Sequence, residues 1–276
     1  MEERQKRIIK LAVGVALGIL LYAGWIFAPG VRAGMGDGHR TDGGVFWDRM
    51  DLEVFYRLNG SLAEPGPWRD ALAMANNRWF DLVPAAVMFV IYSFFVYSVG
   101  GRERRRRIVL GAFMLIWMLV SVQAMSKLAF RFDRTSPTET EGVSPAIRIS
   151  KLYEGRIKDA SSSSFPGDHA TVLLLFTGFT SYYGRRKRYI IPATATAIVF
   201  SLPRVFSGGH WLSDIIVGSG STALVFLPIA FYTPLTDKCV AVLDRPVNAI
   251  CDFLGIFIPA LRADRAAKAD QSNPAP

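Results

Sequence analysis

His210 and Asp214 stand four residues apart, after Arg204 and at the start of a long apolar run that begins at Trp211. On a helix starting near Trp211 the two share a face. The carboxylate can then reach the imidazole, fix its tautomer and leave one ring nitrogen free to attack. A buried histidine merely satisfied by an aspartate has the same spacing. A second histidine ends the segment Ser164-Phe165-Pro166-Gly167-Asp168-His169. There Ser164 can act as N-cap, Pro166 suits the first turn, and free amides near Gly167 and Asp168 point outward as an anion cradle. Serine and proline also open many helices with no ligand, but an ionisable side chain at the end of a membrane helix needs a reason. Lys127-x6-Arg134 adds two cations; alone, they read as a snorkelling anchor and a surface charge. His39, the third histidine, lies in a Gly-Asp-Gly-His loop and receives no role.

Taken together, these groups suit phosphate. Lys127, Arg134 and Arg204 can neutralise it as charge builds in the transition state, with Ser164, Gly167 and Asp168 forming the cradle. In this scheme His210 attacks phosphorus and Asp214 orients it and stabilises the imidazolium. His169 protonates the leaving oxygen and then deprotonates the acceptor. The scheme needs no metal and no cofactor. Cys239 and Cys251 lie outside every motif, and without a CxxC pair or a His/Cys cluster neither a zinc site nor a disulfide framework is supported.

The elements that must position these residues are membrane-length. Apolar residues make up 51% of the chain and gather into runs broken by arginine clusters, the pattern of a polytopic membrane protein rather than a soluble domain. Six spans are expected: Leu11–Phe27, Leu82–Val99, Ile108–Met125, Phe165–Tyr183, Tyr189–Leu202 and Trp211–Phe231. The fold class is therefore an all-α membrane helix bundle, with one domain over 11–231, a 1–10 N-terminus and a 232–276 tail. The first run follows four basic residues and lacks a convincing cleavage site, so an uncleaved signal anchor is favoured over a signal peptide. The fifth run stops at Pro203 after 14 residues, about 21 Å of helix against a hydrocarbon core of about 30 Å, which would recess Arg204 and His210 below the surface.

Arg102, Arg104–Arg107 and Arg185–Arg188 lie in short loops and belong in the cytoplasm, which places both termini there too. The long segments 28–81 and 126–164, and all the chemistry-bearing residues, then fall on the outer side. Phe46, Met50, Leu52, Phe55 and Leu58 recur near helical spacing. That pattern fits either an interfacial helix guiding a lipid or, more simply, a helix capping the bundle. Val247–Leu261 reads as a second interfacial helix, followed by a disordered tail. No internal repeat is visible.

In these residues the chain resembles the type 2 phosphatidic acid phosphatase superfamily, whose motifs are K-x6-R-P, P-S-G-H and S-R-x5-H-x3-D. The match runs from Lys127 to Asp214, and the superfamily's six-span bundle covers most of the chain. Three positions depart from the pattern: Thr135 follows Arg134, Gly167-Asp168 replaces Ser-Gly, and Pro203 precedes Arg204. The serine hydroxyls are lost as phosphate contacts, and Asp168 would repel substrate unless it turned to Lys127, Arg134 or a protonated His169. Ala75–Asp81, Arg134–Thr138, Lys158–His169 and Pro203-Arg204-Val205 are similar to the branch of undecaprenyl pyrophosphate phosphotransferases.

That resemblance implies transfer of the distal phosphate of undecaprenyl pyrophosphate, through a phosphohistidine, to lipid A 1-phosphate. The site would be periplasmic, at the inner membrane of a Gram-negative bacterium. It implies the donor more firmly than the acceptor, because the motifs build only the phosphate pocket. A phosphatase or pyrophosphatase passing phosphate to water shares the chemistry as far as the phosphohistidine. A non-catalytic lipid-phosphate binder or transporter would not need an oriented nucleophile. Vanadate-dependent haloperoxidases have related motifs but are soluble. Nothing points to nucleic acid.

Overall fold

A computed structural model describes residues 2–28, 46–125, 127 and 134–255. Among the described residues the helices are α1 (Glu2–Ile26), α2 (Phe46–Gly60), α3 (Pro67–Ala75), α4 (Leu82–Tyr97), α5 (Gly101–Ala124), α6 (Asp168–Gly184), α7 (Lys187–Phe206), α8 (Gly220–Tyr232) and α9 (Leu235–Leu254). No β-strand occurs among them; an isolated bridge joins Asn77 to Ile157. The all-α expectation holds.

Five helices are long and apolar enough to cross a membrane. They are α1, α4 with its preceding turn (Arg78–Tyr97), α5, α7, and α8 with the π-helical turn Asp214–Ser219 that leads into it. Large apolar side chains stand exposed along them, including Leu20, Phe89, Phe94, Leu115, Leu119 and Ile198. Water would penalise such a surface and a bilayer favours it, so the chain is a multi-pass membrane protein.

The expected fourth span is shorter than its apolar run. Phe165 turns back to stack on Trp25 of α1, ring centroids 4.4 Å apart and 2° from parallel. The helix begins only at Asp168, with Gly167 rather than Ser164 as N-cap, and α6 has 17 residues. The fifth span corrects the sequence expectation the other way, since α7 runs through Pro203 to Phe206. Proline lacks a donor and crowds the preceding turn, but the turn beyond it is held from outside. The Pro203 carbonyl accepts from Asn76 Nδ2 at 3.0 Å and from the Ser207 amide at 3.0 Å. Arg204 thus sits in the last turn of a helix rather than beyond its end.

α4, α5, α6, α7, α8 and α9 share a core around Phe113, Met114, Met118, Leu175, Phe176 and Phe179. α1 lies along α8 because Gly18 has no side chain; a Cβ there would come within 2.8 Å of Val225 Cγ2 and 2.9 Å of the Ser221 carbonyl. The arginine clusters open α5 and join α6 to α7, at the bundle end opposite the starts of α4 and α6.

α2 covers the amphipathic segment, but the face it buries carries Asp48, Asp51 and Asn59 beside Leu52 and Phe55. Leu52 and Phe55 pack on Val143 and Trp211, the contact expected of a helix capping the bundle. Asn59 stitches this cap to its neighbours by donating to Ile147 O at 3.0 Å and Phe206 O at 3.2 Å and accepting from Ile147 N at 2.7 Å. Near the C-terminus the helix is Leu235–Leu254, which takes in the first part of the expected Val247–Leu261; the rest of that segment, beyond position 255, lies outside the described residues. This helix packs against the core through Cys239, Val240 and Leu243 and is tied to α5 by Arg105–Asp252 at 2.5 Å. Positions 256–276 lie outside the described residues.

Candidate active site

A cavity of about 230 Å³ opens at the bundle end where α4 and α6 begin and α7 finishes. Its lining brings together His169 and Asp168 from the start of α6, Arg204 from the end of α7 and His210 from the loop that follows. Lys158, Ala160, Ser161, Ser163, Pro166 and Gly209 complete it.

His210 is held in one tautomer. Its Nδ1 lies 2.8 Å from the Ser164 carbonyl. A carbonyl can only accept, so Nδ1 carries the proton and Nε2 keeps its lone pair. The nearer Asp214 oxygen is 3.5 Å from Nδ1. Asp214 thus stays within ion-pair reach of the imidazole and also works on the loop: Oδ2 accepts from the Trp211 amide at 2.9 Å and Oδ1 from Arg134 at 2.6 Å. The first of these is the backward half of a capping box, which fixes where the helix starts relative to His210.

Arg134 does not meet the cavity. It is fully buried between Trp25 and Trp211, 5.2 Å from each ring centroid. Its guanidinium bridges Asp214 at 2.6 Å and Asp51 at 2.7 Å, and Ser213 Oγ accepts from it at 2.7 Å. Burial pulls this guanidinium's pKa down, but Asp214 and Asp51 more than reverse that, so it stays charged with a pKa above its ordinary value. Arg134 therefore orders the His210 loop from beneath.

The cradle residues also differ from expectation. Gly167 N donates to the Asp214 carbonyl at 3.2 Å, and the Gly167 carbonyl accepts from Ser219 Oγ at 2.8 Å, so this residue locks α6 to the turn entering α8. Ser164 is buried and contributes its carbonyl to His210. Asp168 lies exposed in the cavity wall, and Lys127 is exposed.

Arg204 is held by Asp81 at 2.6 Å, the Lys158 carbonyl at 3.2 Å, and the carbonyl and side-chain oxygen of Asn76, each at 3.3 Å. Asp81 also accepts from Lys158 Nζ and stands 4.0 Å from His169 Nε2. Asp81, Lys158, Asn76, Asp51 and Ser213 are not among the expected site residues. The signal for the first three lay in the stretches Ala75–Asp81 and Lys158–His169, read there only as marks of resemblance.

The loop that delivers His210 turns at Gly208, where φ is +73°. A Cβ there would also stand 2.6 Å from Thr138 Cγ2 and 2.8 Å from Phe55 Cε2. Gly208→Ala should cost roughly 1–3 kcal/mol and depress turnover, because relief of the clash moves His210. Thermal unfolding in detergent beside an activity assay checks this; a variant with the parent's melting temperature and rate contradicts it.

A histidine of fixed tautomer, a second histidine and the buried Arg204 line one cavity at a membrane helix end, a set whose chemistry suits phosphoryl transfer. A family profile described as PAP2 superfamily matches residues 127–236, and the chain belongs to that superfamily and is an enzyme of phosphoryl transfer. Among curated proteins it is similar to lipid A 1-diphosphate synthase of Escherichia coli (strain K12), with 36% identity over 201 residues, 72% of this chain and 83% of the relative. No solved structure matches.

Proposed function

We propose that the enzyme takes the distal phosphate of undecaprenyl pyrophosphate onto His210 and passes it to lipid A 1-phosphate. The carrying observation is the Ser164 carbonyl on His210 Nδ1, which leaves Nε2 as a nucleophile in the cavity that also holds His169 and Arg204. Nε2 forms a bond to the distal phosphorus as the bond to the bridging oxygen breaks. His169 protonates that oxygen, and undecaprenyl phosphate leaves. Arg204 offsets the charge on the phosphoryl oxygens, aided by amides of the first turn of α6, which have no acceptor within a helix. An acceptor oxygen then attacks as His169 takes its proton, the N–P bond breaks and neutral His210 returns. The relative's name supports lipid A as the acceptor.

In this reading the site faces the periplasm at a bacterial inner membrane, with six spans and both termini cytoplasmic. α6 is the sixth crossing in this reading; its 17 residues measure about 25 Å. Support comes from the arginine clusters, which lie at the opposite end of the bundle from the cavity. Release to water is the second reading. It is favoured by the partial exposure of His169, which would then take the attacking water's proton.

Purified protein given undecaprenyl pyrophosphate labelled in its distal phosphate, with and without lipid A, tests the proposal. Label should appear in lipid A, at a rate unaffected by EDTA, because the scheme draws its positive charge from side chains. Label only in free phosphate supports the second reading, and strict dependence on a divalent ion overturns the scheme.

A further inference from the structure

We infer that Lys158 is a specificity-determining contact for a second phosphate and gives the cavity a preference for lipid diphosphates over lipid monophosphates. This rests on the reading that a lipid-borne phosphate is attacked by His210. The cavity is graded by depth: side-chain exposure rises from 6% at Arg204 through 18% at His210 and 28% at His169 to 47% at Lys158. A phosphorus within reach of His210 has Arg204 as its buried cation. Lys158 is the most exposed of the four and lines the same cavity, where the rest of the headgroup can meet it.

Asp81 links the two cations. One of its oxygens accepts from Arg204 at 2.6 Å and the other accepts from Lys158 Nζ. A single carboxylate on both cations keeps them as near neighbours, as adjoining phosphates require. The Lys158 backbone is anchored, its amide donating to Asn76 O at 2.9 Å and its carbonyl accepting from Arg204 at 3.2 Å. Its ammonium sits on a flexible four-carbon stem, a point charge that can leave Asp81 for a phosphate without disturbing the floor. A monophosphate engages Arg204 and leaves Lys158 on Asp81. A diphosphate gains the second charge-assisted contact.

The test uses the full chain in detergent, with inorganic pyrophosphate and inorganic phosphate as calorimetric probes. The parent should bind pyrophosphate at least about tenfold more tightly than phosphate. Lys158→Gln should bring the two affinities within about threefold, while Lys158→Arg keeps the preference. In turnover, Lys158→Gln should raise KM for an isoprenyl diphosphate by a larger factor than it lowers kcat, and by a larger factor than it raises KM for a diacylglycerol phosphate. Equal weakening toward both probes would mean that Lys158 acts only by bracing Asp81 and Arg204, and would overturn the inference, as would a variant with the parent's preference. The binding arm requires no turnover. Activity that survived loss of His210 would defeat the catalytic reading separately from this one.

Discussion

His210→Ala should lower turnover by at least about ten-thousand-fold, the scale on which removal of a covalent nucleophile acts. Phosphate binding should largely survive, because Arg204 keeps its contacts to Asp81, Asn76 and the Lys158 carbonyl without the imidazole. Stability should fall by only about 1 kcal/mol, the worth of the lost bond from Nδ1 to the Ser164 carbonyl. A large kinetic loss with modest changes in binding and melting temperature identifies a group whose work is done in the transition state. His169 differs in kind. It moves a proton in both half-reactions, so its loss slows each of them without stopping the first bond from forming.

Arg134→Ala is expected to act in the opposite proportion, through the fold. It leaves Asp51 and Asp214 buried, close together and without their shared cation. Breaking a buried ion pair in this way costs about 3–5 kcal/mol, and Asp214 would then no longer hold the turn that starts beside His210. The melting temperature should drop sharply and activity should vanish with it. Arg204→Ala provides the contrast, with weakened phosphate binding and a smaller thermal shift. An Arg134→Ala protein that melts like the parent but binds phosphate poorly would move this guanidinium from beneath the loop to the substrate.

The helical nature of the chain was legible because apolar runs of membrane length punctuated by arginine leave few alternatives. His169, Arg204 and His210 were legible because their spacing and their places at helix ends bring them to one side of the bundle. Arg134 shows what local pattern cannot reveal. Its partners Asp51 and Asp214 are 83 and 80 positions away, so the sequence shows a cation without showing what surrounds it. The orienting group on His210 is a main-chain carbonyl, which every residue has, and only the tertiary fold selects Ser164. Backbone chemistry alone makes Pro203 a stop, and Asn76, 127 positions earlier, donates to the Pro203 carbonyl where α7 continues past it. Asp81 and Lys158 meet across 77 positions, and neither belongs to a motif with known spacing.

The central claim is a covalent bond between His210 and phosphorus. Brief exposure of the full chain to undecaprenyl pyrophosphate labelled in its distal phosphate, quenched in base and mapped by peptide mass spectrometry, tests it most directly. The account expects an acid-labile, base-stable phosphoryl group on His210 that disappears when acceptor is added. Turnover with no labelled protein at any time, or label that settles on another residue, would contradict it.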